Sequence, residues 1–339
     1  MRVAERLINW GWEVEWFSST YPGAAPQEYR NGIRFIRNGS QVTVHLCAWR
    51  RYRRACDFDV VVDEINTIPF YAHRYIPAPS VAYINQLAAE VWRYEAPGVI
   101  GHIAALLEPL YLRPYRDRPI LTISKSSVQS LRAIGLRGPT RLMQMSVDER
   151  PDGSVPAKRI PRDVVVLGRV TPSKRIEHAI RAASILQESG WKGKLLIIGS
   201  GRKRYVDRIQ SEARAVLGDH VQMLGRVSDD ERSRILREAS CLWMTSVREG
   251  WGLAVTEAAR HGTPAVVYRV PGLVDSVKDG VTGYVVAQAP SALAAATVRL
   301  FGKRFGEIAE ASLEESRFSD WDDTARHFEQ ALHERILPG

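Results

Sequence analysis

The sequence has no uninterrupted apolar run of about 18 residues, so no helical membrane span is predicted. Its three cysteines, Cys47, Cys56 and Cys241, lack metal-ligand spacing. Cys241 sits in an apolar run and Cys47 in a mixed one, as suits thiols in a reducing cytoplasm. The opening residues, Met1-Arg-Val-Ala-Glu-Arg-Leu, are amphipathic and lack the apolar stretch of a secretory signal. No helix-turn-helix, zinc-finger or RNP pattern is found, and no nucleic-acid partner is expected. No Asp-x-Asp pair is placed to hold a metal ion, and none is expected.

What the sequence does contain is the balance of an ordinary globular protein. It has 339 residues, 45% hydrophobic and 25% charged, a length that suggests two domains. Lys and Arg number 47 against 38 acidic residues, a formal charge of +9 that suits anionic partners without naming one. Two stretches, Trp49-Arg-Arg-Tyr-Arg-Arg54 and Leu110-Tyr-Leu-Arg-Pro-Tyr-Arg116, interleave aromatics with positive charge. Either could be a solvated helix face, and either could touch an anionic membrane surface peripherally.

Apolar periodicity divides the chain into two α/β blocks. In residues 1–148, strands are predicted at 13–19, 33–37, 58–64, 81–85, 120–124 and 141–147. Helices are predicted there at 3–12, 42–55, 87–94, 103–111 and 126–134. Residues 149–163 are rich in Pro, Gly and charge and read as a linker. In residues 164–316, strands at 164–168, 195–199, 221–224, 241–245, 265–270 and 284–286 alternate with helices. A helix is expected within 317–339, beginning near Asp320-Trp-Asp-Asp. Alternating β and α predicts two doubly wound, Rossmann-like domains, with ligands beyond the C-terminal strand ends.

The densest stretch runs from Ser240 to Pro271. Cys241–Thr245 is apolar enough for a buried strand, and Ser246–Gly252 is a loop with two glycines. Leu253–His261 has helical spacing and stops at Gly262, and Ala265–Val270 is a second strand. Gly250 and Gly252 let backbone approach a ligand, and the helix that follows presents N–H groups and a dipole that favour an anion. Glu249 and Glu257 can accept hydrogen bonds from sugar or ribose hydroxyls beside a phosphate. The plainer alternative is a solvated loop glutamate and an exposed helix glutamate.

Glu249-x7-Glu257, set in Glu-Gly-Trp-Gly-Leu-Ala-Val-Thr-Glu-Ala-Ala-Arg-His-Gly-Thr-Pro, resembles the EX7E signature of the family-4 retaining glycosyltransferases. That resemblance implies the GT-B fold, two Rossmann-like domains facing a cleft, with the terminal helix crossing back to the first. It implies a hexosyltransferase that takes a nucleotide diphosphate sugar as donor and a hydroxyl of a saccharide or lipid-linked saccharide as acceptor. Gly168-Arg-Val-Thr-Pro-Ser-Lys-Arg175 matches the family segment whose Arg and Lys hold the donor diphosphate, here Arg169 and Lys174. On its residues alone that segment is more often a solvated basic loop.

Together with the residues read above, the expected donor-binding set is Gly168, Gly199, Gly201, Val227, Gly250, Gly252, Leu253, Ala254 and Glu257. Arg169, Lys174 and Glu249 are the implied catalytic residues. Gly199-Ser-Gly201 is also readable as a plain β–α turn. On the acceptor side, Asn85 stands where the family commonly has His; it keeps a hydrogen-bonding group but cannot titrate near neutral pH. Members also begin with a strand and a Gly-Gly loop, whereas this chain starts inside the helix that follows them. Residues 1–148 are therefore expected to exchange amide hydrogens faster and to melt earlier than residues from Val164 on. Two other readings stay open: a nucleotide-sugar-binding protein without activity, and a phosphorylase or epimerase on this fold.

Overall fold

The computed structural model describes residues 1–54, 57–96, 98–158, 162–318 and 320–336. Ala55 of the predicted second helix, Cys56, residues 159–161 of the predicted linker and residues 319 and 337–339 of the terminal segment lie outside the described residues. The chain divides into two compact units: Met1–Ala88 with Leu106–Met145 and Asp320–Gly339, and Ala89–Ala105 with Ser146–Ser319. Residues 89–105, predicted in the first domain, group with the second unit.

The first half contains α1 (Arg2–Asn9), β1 (Glu15–Ser18), β2 (Gln27–Arg30), β3 (Ile33–Arg37), α2 (Val44–Tyr52), β4 (Val61–Glu64) and β5 (Ser80–Tyr83). These are followed by α3 (Val91–Glu95), α4 (Gly98–Leu112), β6 (Ile120–Thr122), α5 (Lys125–Ala133) and β7 (Thr140–Leu142). Among the described residues the strands form two sheets, β1-β3-β2 and the parallel β4-β5-β6-β7. The prediction has no β2. Its signal is the Asn31-Gly32 pair, whose φ values of +52° and +80° turn the chain into an antiparallel hairpin with β3.

The terminal helix α13 (Trp321–Ile336) lies in the first unit. Trp12 Nε1 donates to Glu329 at 2.8 Å, and Thr324 Oγ1 donates to the Gln144 carbonyl at 2.6 Å. Arg6 pairs with Asp322, and Arg141 with Glu334.

From β8 to α11 the second unit alternates strand and helix. Its elements are β8 (Val164–Leu167), α6 (Ile176–Glu188), β9 (Leu195–Ile198), α7 (Lys203–Leu217), β10 (Val221–Gly225), α8 (Asp229–Glu238) and β11 (Cys241–Met244). Then come α9 (Leu253–Ala259), β12 (Ala265–Tyr268), α10 (Leu273–Ser276), β13 (Gly283–Val286), α11 (Pro290–Leu300) and α12 (Phe305–Ser316). All six strands are parallel, in the order β10-β9-β8-β11-β12-β13. Both faces are covered by helices, so the strands are continuous apolar runs such as Val164-Val-Val-Leu and Cys241-Leu-Trp-Met. Trp243, fully buried, donates through Nε1 to Thr297 Oγ1 at 2.8 Å. The order reverses between β8 and β11, and that switch point is where an open α/β sheet binds its ligand.

The predicted linker belongs to this second unit. Glu149 pairs with Arg232. Asp152 pairs with Arg237 and His261, each at 3.0 Å. The Lys158 ammonium donates to the carbonyls of Arg237 (3.1 Å) and His261 (2.7 Å) and to Thr263 Oγ1 (2.7 Å). One cation thus caps the C-terminal ends of α8 and α9, where the dipoles favour positive charge. Burial pushes its pKa down to about 7, against the attraction of Asp152. Truncation in Lys158→Ala strands these acceptors and should cost about 3 kcal/mol, read as a lower melting temperature. An unchanged melting temperature would refute the clamp.

Candidate active site

Two loops leave the sheet at the switch point, one after β8 and one after β11. The β8 loop carries Gly168, Arg169 and Lys174, the last in a 3-10 turn, Pro172–Lys174. The β11 loop carries Ser246, Glu249, Gly250 and Gly252 and leads into α9. Val247 N–H donates to the Ser173 carbonyl at 2.9 Å, and Thr245 Oγ1 donates to the Lys174 carbonyl at 2.7 Å. The loops are therefore tied together through backbone. Arg175, at φ +48°, reinforces them: Nε donates to the Thr245 carbonyl at 2.7 Å and Nη2 to the Ser246 carbonyl at 2.8 Å. Its guanidinium also lies 4.9 Å from the Tyr268 ring centre.

This lacing brings the Lys174 ammonium onto the Glu249 carboxylate, 75 residues away in sequence. Ser246 Oγ donates to the same carboxylate at 2.6 Å. Glu249 is also held through its main chain, its N–H donating to the Pro271 carbonyl at 3.1 Å. A Cβ on Gly272 would stand 2.2 Å from the Glu249 carbonyl oxygen, so this approach requires a glycine. Gly168, Arg169, Lys174, Thr245 and Ser246 line a common concavity.

Gly252 takes φ +95° and heads α9, where a Cβ would meet Leu273 Cδ2 at 2.7 Å. Gly250 precedes it, and Leu253 and Ala254 give α9 its first amides. The far end of α9 closes as a Schellman motif: Thr263 N–H reaches the Ala258 carbonyl and Gly262 N–H the Ala259 carbonyl, with Gly262 at φ +58°. Glu257, on α9, approaches Arg232 at 3.9 Å. Burial pushes its carboxyl up to about 7; Arg232 opposes that shift, while Glu149, Asp229 and Asp148 add to it.

Gly199 and Gly201 have a structural reason to be glycine. A Cβ on Gly199 would lie 1.7 Å from the Gly168 carbonyl oxygen, and one on Gly201 1.9 Å from that of Val170. Their close approach is to the β8 loop itself. Val227 follows β10 and packs against the core. Asn85 belongs to the first unit, where its carbonyl accepts from Ser127 Oγ at 2.8 Å and its own Oδ1 is buried without a hydrogen-bond partner.

Sequence reasoning missed the residues that brace these loops. Glu95 of α3 accepts from both the amide (3.2 Å) and the hydroxyl of Ser173. Burial opposes its ionisation, but the Ser173 and Thr171 hydrogen bonds and the Arg169 charge hold its carboxyl below the ordinary range. Glu90 accepts from Arg248 Nε at 2.7 Å. Glu90 falls inside the quoted Asn85–Tyr94 segment and Glu95 one residue beyond it, but nothing in the sequence links either to a loop some 78 or more residues on. Among the described residues, no group of three or more His, Cys, Asp or Glu is placed to hold a metal ion. No described helix is long and apolar enough to cross a membrane.

The architecture is that of the GT-B glycosyltransferases. Sucrose-phosphate synthase from Thermosynechococcus elongatus superimposes with a TM-score of 0.79 at 19% identity, covering 97% of this chain and 90% of that one. HepE from Anabaena, solved in complex with UDP, gives 0.67 at 15% identity, covering 89% and 86%. Residues 152–306, which contain both loops, match the family model described as glycosyl transferases group 1. A 2-deoxystreptamine glucosyltransferase of Streptomyces kanamyceticus is 33% identical over 111 residues, 33% of this chain and 28% of that protein. An uncharacterized glycosyltransferase of Methanocaldococcus jannaschii is 27% identical over 236 residues, 64% of this chain and 60% of that protein. The chain spans 28% to 60% of the length of these two curated relatives.

Proposed function

We propose that this chain is a retaining glycosyltransferase that moves a hexose from a nucleoside diphosphate sugar to a hydroxyl of a saccharide or lipid-linked saccharide. The observation that carries this reading is the Lys174–Glu249 pair at the sheet's switch point, ahead of α9. Arg169 and Lys174 neutralise the departing diphosphate, aided by the Leu253 and Ala254 amides at the head of α9. Gly168, Gly250 and Gly252 keep backbone close to the phosphates, while Gly199 and Gly201 set the height of the β8 loop. Glu249 accepts from donor sugar hydroxyls, Glu257 from the ribose, and Val227 presents backbone to the base. The leaving diphosphate oxygen takes the acceptor proton as the glycosidic bond forms on the face it vacates. No step calls for a metal ion. The reaction belongs in the cytoplasm, with peripheral membrane contact where the acceptor is lipid-linked.

The test is a donor screen with the full chain, reading released nucleoside diphosphate with and without acceptors. UDP-sugars come first, because HepE was solved with UDP and with UDP-glucose. Acceptor-dependent release supports the proposal. Donor binding without release over a broad acceptor panel would replace it with a second reading, a nucleotide-sugar-binding protein without turnover. Asn85, whose amide cannot titrate, is the observation that favours this second reading. Inorganic phosphate serving as acceptor would indicate a phosphorylase, and product formed without any acceptor an epimerase.

The pH dependence of donor binding follows from Glu257. A carboxylate accepts ribose hydroxyls better than a neutral acid, so donor affinity should rise as pH passes through about 7. The same raised value makes its contribution to folding stability fall over that interval, from the ordinary carboxyl range up to about 7. Glu257→Gln should flatten the affinity profile. A wild-type profile that is already flat across neutral pH would remove Glu257 from the ribose.

A further inference from the structure

Two adjacent cations, Lys174 and Arg175, are used differently. Lys174 meets Glu249, whereas Arg175 is 8% exposed and turned among backbone and neutral side chains. Its Nε donates to the Thr245 carbonyl at 2.7 Å, Nη2 to the Ser246 carbonyl at 2.8 Å and Nη1 to Gln288 Oε1 at 2.9 Å. The Tyr268 ring, itself fully buried, lies against the guanidinium with its centre 4.9 Å away. Arg175 follows β8, Thr245 and Ser246 follow β11, Tyr268 ends β12 and Gln288 follows β13. One side chain therefore joins the C-terminal ends of four consecutive strands of the sheet.

These contacts close a ring through the site. Nη2 fixes Ser246, whose hydroxyl donates to the Glu249 carboxylate at 2.6 Å. Glu249 pairs with Lys174. The Lys174 carbonyl accepts from Thr245 Oγ1 at 2.7 Å, and the Thr245 carbonyl accepts from Arg175 Nε. Both members of the Lys174–Glu249 pair thus hang on the same guanidinium.

Two features show that Arg175 is more than filling. It sits at φ +48° and ψ +52°, a backbone conformation that suits glycine and strains a residue with a side chain. None of its four partners is a carboxylate, so its burial serves no ion pair among them. What the guanidinium supplies is a planar fork: Nε and Nη2 hold two successive carbonyls at once, which a lysine cannot do. With all three nitrogens engaged by the protein, Arg175 acts through Lys174 and Glu249 and not on the donor itself.

We propose that Arg175 is a positioning residue for sugar transfer, setting the alignment of Lys174 and Glu249 through Thr245 and Ser246. The proposal rests on the glycosyltransferase reading of this site.

The experiment is Arg175→Gly in the full chain, with and without millimolar guanidinium. Glycine accepts the backbone conformation, so the lost guanidinium is the change being tested. Kinetics use the donor and acceptor found by the screen above, and hydrogen exchange over residues 245–252 gives a readout free of turnover. The kcat should fall about 100-fold while the donor KM moves less than about 3-fold, the mark of lost alignment. Exchange of the loop amides should quicken at least about 10-fold, and guanidinium should reverse part of both changes. Should Arg175→Gly fail to fold, Arg175→Lys replaces it; keeping the charge without the fork, it should lose about 10-fold in kcat. A kcat per folded molecule within about 2-fold of wild type overturns the proposal, and so does unaltered exchange of the loop. A wild-type chain that turns over no donor would instead sink the glycosyltransferase reading, and the exchange measurement would still decide whether Arg175 sets the loop.

Discussion

Replacing Glu249 or Lys174 with alanine should lower turnover by about 100- to 1000-fold, the cost of removing a charge aimed at a transition state. The two losses should differ in kind. Lys174→Ala removes a cation from the diphosphate and should weaken donor binding as well as turnover. Glu249→Ala should act mainly on turnover, because the sugar would be held less well in its reacting orientation. The two side chains pair directly, so the double variant should lose less than the product of the single losses. Steady-state kinetics on whichever donor the screen identifies, with melting curves to confirm folding, would measure this. Near wild-type turnover in both single variants would sink the assignment of the site.

The largest effect on stability is expected at Gly199. A Cβ there would enter the Gly168 carbonyl oxygen at 1.7 Å, at a φ of +141° that side chains avoid. The oxygen belongs to a strand end fixed in the sheet, with Gly168 N–H already bound to the Ile198 carbonyl at 3.0 Å. Backbone must shift, and Gly199→Ala should cost about 4 kcal/mol or prevent folding. Gly218→Ala is the control. Its φ is +57° and its ψ −126°, with no atom within 4 Å of the added carbon, so only backbone strain of about 2 kcal/mol is expected. Equal melting temperatures for the two variants would contradict this account.

The contrast at Gly199 also marks what the sequence could reveal. Strands buried on both faces leave apolar runs, so all six strands of the second unit were legible, as were the loops that leave them. The Arg169–Lys174 and Glu249–Glu257 segments were legible because each is local. The reason for Gly199 and Gly201 was not, since their neighbours are the carbonyls of another strand. Strand β2, Gln27-Glu-Tyr-Arg30, has no apolar run, and only Asn31-Gly32 betrays it. The predicted helix 87–94 shrinks to α3 because Ala89 takes φ +35°, which breaks helical continuity. Predicted strand 141–147 ends at Leu142 for want of further pairing to β6. The braces from Glu90, Glu95 and Glu149 join distant positions, and no periodicity encodes such pairs.

The segment 149–158 carries a practical consequence. Its prolines, glycine and charges advertise a dispensable tether, the natural place to divide the gene when the second unit is wanted alone. A cut at residue 163 would discard Glu149, Asp152 and Lys158 together. The fragment would then begin at β8 with Arg237 and His261 stripped of the carboxylate they share, Arg232 left to Asp229 and Glu257 alone, and two helix ends uncapped. A fragment starting at residue 146 retains all of these groups. Proteases that favour irregular, charged chain should likewise spare this stretch, for all its tether-like composition.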